Sequence, residues 1–365
     1  MGNSSKMEAD RTVGLDLGDL QSHYCILDAQ GERQEEGQLA TKEAAFRGRF
    51  GTCGRMRIAL EAGTHSAWVS QLLGLLGHEV LVANPRKLRA IYENDSKSDK
   101  ADAEYLARVA RLDPKLLSPL THRGEETRRD LAMLRSRDAL VCARTDLINH
   151  VRGSVKPFGA RVPSCSSNAF HTRAVEGIPD PLKEALSGVL EAIETLSARI
   201  KVYDKQLETV AEERYPQTAL LKQVPGVGPL TSLGYVLVLE DPKRFKSSRS
   251  VGSYLGLRPR QGDSGSIRPQ LRITKAGDVL LRRLLVGSAH YILGPFGPDT
   301  DLRRWGLALA QRGGKSAKKR AIVAVARKLA VVTSHGIERP ARKYSSVVAA
   351  LRRAAHQPMD ASAAQ

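Results

Sequence analysis

Cysteine is scarce in this chain and scattered where it occurs: Cys25, Cys53, Cys142 and Cys165 form no CxxC pair and no cluster with histidine. That spacing argues against a zinc site and a disulfide framework, and a reducing cytosol is the expected compartment. Aromatic residues make up only 5% of the chain, which leaves few platforms for stacking on exposed bases. No apolar run approaches the ~18 residues that span a bilayer. The opening stretch MGNSSKMEAD has no apolar core, so no signal peptide is expected.

Acidic side chains are in short supply in the C-terminal part of the chain. Residues 1–124 carry 17 basic and 17 acidic side chains, whereas residues 241–320 carry 18 basic and 5 acidic. Solubility alone would not concentrate charge in one segment. A neutral N-terminal module joined to a strongly basic C-terminal one points to a polyanionic partner, nucleic acid above all.

What is present begins with alternating strand and helix signals. RTVGLDL and HYCILD read as paired strands around GDLQS, with RQEEGQLA a third; RMRIALEA and HEVLVANP are further strands separated by the helix HSAWVSQLLGLLG. This order predicts an α/β domain with a mixed sheet over residues 1–124. Residues 125–155 read as helical, and the Pro/Gly/Ser-rich stretch 157–181 as a loop. Leu182, Leu186, Val189, Ile193, Leu196, Ile200, Tyr203, Leu207 and Val210 then follow alternating steps of four and three. That pattern predicts a coiled coil closing a 125–215 segment and pairing subunits, although a helical hairpin packed on its own domain gives the same stripe. Within 216–344, VPGVGP has the form of a helix-hairpin-helix turn, in which Gly226 and Gly228 let the backbone approach a phosphate closely. Residues 345–365 read as a tail.

Four acids stand where chemistry could use them. Asp16 lies within the first strand, Glu61 ends the strand RMRIALE, and Asp99 and Asp102 open the helix of KSDKADAEYLARV, one turn apart on one face. Four convergent carboxylates would repel one another and raise each other's pKa values. Two magnesium ions about 3.5–4 Å apart would relieve that repulsion and align a phosphodiester; oxygen-only ligands favour magnesium or manganese. Each acid also has a plainer reading. Asp16 resembles the phosphate loop of an actin-like ATPase, though no second glycine loop follows. Glu61 could be a helix-start acid, and Asp99 with Asp102 a capping pair.

With these residues in place the chain resembles the DEDD-type insertion-sequence transposases, which are similar to the Piv-type site-specific DNA invertases. The resemblance runs from about Val13 to Ala330 through GLDLGD, ALEAGTHSAWVSQLLGLLGHEVLVANP, KSDKADAEYLARV, VPGVGPLTS, GLRPRQGDSGS, RITKAGDVLLRRLL and KKRAIVAVARKLA. It implies a RuvC-like (RNase H-like) catalytic domain whose Asp16, Glu61, Asp99 and Asp102 bind magnesium. A coiled-coil segment and a mainly α C-terminal transposase domain with a helix-hairpin-helix would follow. It also implies Ser264 in GDSGS as the nucleophile, with Ser266 as the nearby competitor, and a structured non-coding guide RNA as partner to donor and target DNA. The lysine often found after the first aspartate is missing from GDLQSHY.

A serine hydroxyl needs activation to attack a phosphodiester, and no Ser-His-Asp pattern surrounds Ser264. Metal polarisation of the phosphate is the substitute, which explains why one chain would carry both the acids and the serine. The expected reaction is a covalent serine–DNA link that frees a 3′-hydroxyl, followed by strand exchange. Because Ser264 stands about 160 residues beyond Asp102, a site composed from two or more chains is expected. Arg258, Arg260, Arg268, Arg272, Lys275, Arg282 and Arg283, with Lys315, Lys318, Lys319 and Arg320, are the expected phosphate contacts. The protein would work in the cytoplasm, on the nucleoid. The competing readings are a junction-resolvase type of nuclease using water, and a non-enzymatic DNA-binding protein.

Overall fold

The computed structural model describes residues 11–88, 99–241, 244, 245, 247–262, 264, 269, 271–314 and 316–338. The expected tail, Ser266, Arg268 and Lys315 lie outside them. The chain divides into two compact units, residues 1–122 and 123–365.

The first unit is built on a five-stranded sheet of β1 (Thr12–Leu17), β2 (Gln21–Leu27), β3 (Arg33–Ala40), β4 (Arg57–Glu61) and β5 (Glu79–Ala83) in the order β3-β2-β1-β4-β5. β1 to β3 form an antiparallel meander, and β4 and β5 run parallel to β1. This mixed sheet is consistent with an RNase H-like domain. One face carries α1 (Glu43–Phe50) and α2 (Ser66–Leu75), where Val13, Leu15, Phe46, Phe50, Ile58, Leu60 and Leu73 are fully buried together. A one-turn helix, α3 (Pro85–Leu88), follows β5, and α4 (Asp99–Leu112) covers the opposite face. Alternation along β1 sends Val13 and Leu15 to one side and Gly14 and Asp16 to the other. Gly14 faces α4 so closely that an added Cβ would sit 1.9 Å from the Ala103 carbonyl oxygen.

The second unit is helical. α5 (Glu125–Ser154) and α7 (Asp180–Arg214) run antiparallel, tied by Arg137 to Asp204 at 2.8 Å and by Arg144 to the Ser197 hydroxyl at 3.1 Å. At their far end Asp130, fully buried, accepts from Tyr215 at 2.8 Å and pairs with Arg214 at 3.0 Å. Within the chain this is the helical hairpin that the sequence pattern also allowed. Leu186, Ile193, Ile200, Leu207 and Val210 are buried within this one chain, and none of the nine stripe residues is exposed. The 157–181 stretch is likewise more than a loop. It forms α6 (Phe170–Arg173), and Phe170, Ala174 and Ile178 close the end of the α5–α7 pair.

α8 (Gln217–Lys222) and α9 (Pro229–Leu239) flank the PGVGP turn. α9 is apolar all round and correspondingly central: Thr231 to Leu239 are all buried. Around it stand α10 (Ser248–Tyr254), α11 (Val279–Leu293), α12 (Asp301–Gln311) and α13 (Ala317–Glu338). Leu131 and Leu134 of α5 and Leu207 of α7 join the same core, so the expected division at residue 215 falls inside one compact unit.

Candidate active site

The acids are brought together by register rather than by sequence proximity. Along β1 and β2, Asp16 stands opposite His23, and directly opposed residues project to the same face. β1 and β4 are in register to Leu15 beside Leu60, which leaves Asp16 and Glu61 as the next residues on neighbouring strands. Gly14 and Asp16 share the face on which α4 lies, and Asp99 and Asp102 occupy the first turn of that helix. Ala103 rests on Gly14; Asp99, one turn earlier, therefore lies towards Asp16. His23 Nε2 stands 3.8 Å from Asp99 Oδ2 and joins the two acid-bearing elements.

The electrostatics record this convergence. Burial, then the charges of Asp99, Asp102 and Glu61, raise the Asp16 carboxyl to a pKa of about 6, with His23 opposing. Glu61 ends β4 and α2 begins only at Ser66, so its reading as a helix-start acid is set aside. Among the described residues, no three His, Cys, Asp or Glu side chains are close enough to hold a metal ion as they stand. Magnesium does not require three: it keeps several waters and takes one or two carboxylates plus substrate phosphates. An all-oxygen, mutually repelling set with one half-buried member fits such a hard cation.

Two further groups at this end of the sheet escaped the sequence reading. His23 was visible only through the register of the β1–β2 hairpin. In the segments after β1 and β4, the Trp68 indole N–H donates to His65 Nδ1 at 3.1 Å, so His65 Nε2 carries the proton and donates to Asp19 Oδ1 at 3.0 Å. Segments at the carboxyl ends of strands commonly carry functional side chains, which was the available signal.

Ser264 belongs to the second unit. It is exposed and lies between two arms that pair through Pro259 and Ile273, with Arg260 N–H donating to Arg272 O and Thr274 N–H to Arg258 O, both at 2.9 Å. Arg258, Arg260, Arg272 and Lys275 are exposed along these arms, and Lys318, Lys319 and Arg320 are exposed at the start of α13. Two expected phosphate contacts are otherwise engaged. Arg282 donates to Leu255 O at 3.0 Å and Ala276 O at 2.9 Å, fastening the base of the arms to α11. Arg283 is paired with Asp138 of α5. Gly226 adopts φ +87°, and an added Cβ would meet Ile292 Cγ1 at 2.6 Å, so its close approach is to a core side chain; Gly228 has open space around it.

The class is that of the DEDD transposases, and it rests on the family matches. Residues 13–158 match the DEDD_Tnp_IS110 family, described as a transposase, and residues 218–298 match the transposase IS116/IS110/IS902 family. The chain is 29% identical to the transposase for insertion sequence element IS1111A of Coxiella burnetii, over 89% of each chain. A probable family 20 transposase of Pseudomonas aeruginosa is 30% identical over 82% of this chain and 89% of its own. The pilin gene-inverting protein of Moraxella lacunata is 28% identical over 70% and 71%, respectively. The chain belongs to the IS110 family of transposases. Among the described residues no helix is long and apolar enough to cross a membrane.

Proposed function

We propose that this transposase cleaves and rejoins DNA strands through a covalent serine–DNA intermediate, with Asp16, Glu61, Asp99 and Asp102 as the magnesium-binding acids and Ser264 as the nucleophile. The observation that carries the reading is the placement of Asp16 and Glu61 on neighbouring strands beneath the first turn of α4, which bears Asp99 and Asp102; burial first, then the charges of the other three acids, raise the Asp16 carboxyl. Repulsion of that kind is costly to retain unless a cation or a reaction uses it.

Magnesium, or manganese in its place, would neutralise the acids and polarise the scissile phosphate. The chain's own groups supply the rest. The Ser264 oxygen bonds to phosphorus, the bond to the 3′-oxygen breaks, and that oxygen leaves as a hydroxyl with a proton. The exposed arginines along the Ser264 arms neutralise neighbouring phosphates and give binding a steep salt dependence. His23 orients Asp99. The site is shared between chains, the acids of one serving the serine of another. A structured non-coding RNA selects the DNA by base pairing, and the protein reads that RNA through its shape and backbone.

The test is adduct trapping. Incubation with element-end DNA and magnesium is expected to leave DNA covalently attached to the protein, and Ser264→Ala and Asp16→Asn to abolish the adduct. Continued cutting by Ser264→Ala would instead establish a water-using nuclease.

A further inference from the structure

Two aromatic rings stand in solvent on one turn of the second unit. Aromatic residues are few in this chain, and among the described residues those most exposed are Phe158, Tyr291 and Phe296, at 54%, 50% and 84%. The last two lie five residues apart, in the final turn of α11 and in the GPFGP turn that follows it. Single exposed apolar side chains are ordinary on a protein surface. A pair sharing one turn is not explained that way.

The turn is braced from within. Gly294 N–H donates to Tyr291 O at 3.1 Å, and Gly297 N–H to Gly294 O at 3.3 Å. Arg303, from α12, donates through Nη1 to Ile292 O and Gly294 O, both at 2.5 Å. A Cβ added at Gly297 would sit 2.2 Å from Ile292 O and 2.6 Å from Arg303 Nη1, so the backbone there lies directly against its support. Pro295 and Pro298 restrict φ on either side. Phe296 is therefore carried on a preformed surface, and little ordering entropy is lost when something covers it.

Charge and area select the occupant. The turn belongs to the segment 241–320, with its 18 basic and 5 acidic side chains. The two acids beside it, Asp299 and Asp301, are both paired with Arg304, at 2.5 and 2.6 Å. A second copy of the chain is a poor occupant, because two aromatic side chains cover roughly 150–250 Å² each, against about 800 Å² per partner in a stable interface. A single nucleobase fits that area, and its flat face stacks on an aromatic ring whatever the base. Bases inside a duplex have both faces covered by their neighbours, whereas an unpaired base has a face to offer. As a transposase of the IS110 family the chain acts on DNA, and strands must unpair before they can be exchanged. The 15 residues of α11 make it roughly 22 Å long. That length separates the turn from the base of the Ser264 arms, fastened by Arg282 near the other end of α11. The rings thus stand about six nucleotide steps from those arms.

We infer that Phe296, with Tyr291, is a stacking platform for an unpaired base of the DNA strand undergoing exchange. The inference goes beyond the serine mechanism, since it requires only that the chain bind opened DNA.

The experiment uses the full chain carrying Phe296→Ala, Phe296→Tyr or Tyr291→Ala, with Phe158→Ala as the control. Fluorescence anisotropy across a salt series reads binding to a labelled DNA single strand, to the paired duplex, and to an RNA strand of the same sequence. Thermal melting verifies folding, and sedimentation reads the oligomeric state. Phe296→Ala is expected to bind the DNA single strand about tenfold more weakly and the duplex within about twofold of the parent. Its salt slope should not change, because the slope counts phosphates and the ring neutralises none. Phe296→Tyr should keep parental binding, Tyr291→Ala should lose about fivefold, and Phe158→Ala should lose nothing. An equal loss on the paired duplex would overturn the platform, as would a fall in the salt slope or a loss confined to RNA. A changed oligomeric state in Phe296→Ala would assign the surface to a second copy instead. Parental single-strand affinity in Phe296→Ala removes the platform alone and leaves the recombinase reading standing. A parent chain that binds neither single-stranded nor duplex DNA removes that reading, and the platform with it.

Discussion

The acid-bearing end of the sheet and the serine-bearing hairpin are held in place by different means. Asp16 and Glu61 stand on adjacent strands, and α4 brings Asp99 and Asp102 down onto them by backbone contact at Gly14. Each acid's location is therefore tied to the burial of Val13, Leu15, Ile58 and Leu60. Ser264, by contrast, is exposed between two arms joined by a few backbone hydrogen bonds and fastened at the base by Arg282. On the proposed reading, the acids that would hold a metal are built on packed elements, while the serine that would meet a large substrate sits at the surface. The difference teaches that substitutions in the two regions should fail in different ways.

The largest effect expected is on chemistry. Asp16→Asn or Asp102→Asn should lower adduct formation at least 10³-fold, a loss on the scale of electrostatic groups acting in the transition state, while DNA binding by anisotropy stays within a few-fold of the parent. Mixing Asp16→Asn chains with Ser264→Ala chains should restore part of the adduct; no recovery would show that each chain uses its own serine.

Next comes the seat of α4. Gly14→Ala forces a methyl against the Ala103 carbonyl and should cost about 1–3 kcal/mol or more, read as a lower melting temperature of the first unit together with lost cleavage. A comparable structural loss belongs to the second unit. Asp130→Ala removes the acceptor shared by Tyr215 and Arg214 and should destabilise by about 2 kcal/mol, as measured by denaturant unfolding. In the hairpin, Arg282→Ala should loosen the arms and weaken adduct formation more than Arg283→Ala, whose parent side chain is paired with Asp138.

The smallest effect is a pH response. An acid whose folded pKa is raised binds a proton more tightly when folded, so its contribution to stability is greatest at low pH and is lost as pH rises through the folded value. For Asp16 the window runs from its ordinary 3.8 to about 6. Metal-free protein should melt a few degrees lower at pH 7 than Asp16→Asn, and magnesium should close that gap. Equal melting temperatures across the window would remove the repulsion argument.

Much of the first unit was legible because its strands are short apolar runs bounded by turn residues. α1 was not, since EAAFRGRF carries little periodic contrast although Phe46 and Phe50 are fully buried. The stripe on α7 was plain, but a stripe reports that a face is covered and not by what. Its partner, α5, was read as a helix, but its pairing face hides because Asp130, Arg137 and Arg144 interrupt any apolar pattern while making the contacts that align the pair. The 157–181 stretch misled by composition, its few anchoring residues being outnumbered by proline, glycine and serine. At the site, the acids could be chosen from spacing and resemblance, whereas His23 required the hairpin register. Arg282 and Arg283 are adjacent and chemically identical in the sequence; only the helix phase sends one to loop carbonyls and the other to Asp138.

Because the helix bearing Asp99 and Asp102 is seated on Gly14, main chain against main chain, no rotamer lies between it and the strand bearing Asp16. Such a joint has no slack to take up. A drift in the sequence around it would alter side chains that flex, yet leave the spacing between strand and helix set by van der Waals contact of one backbone on the other.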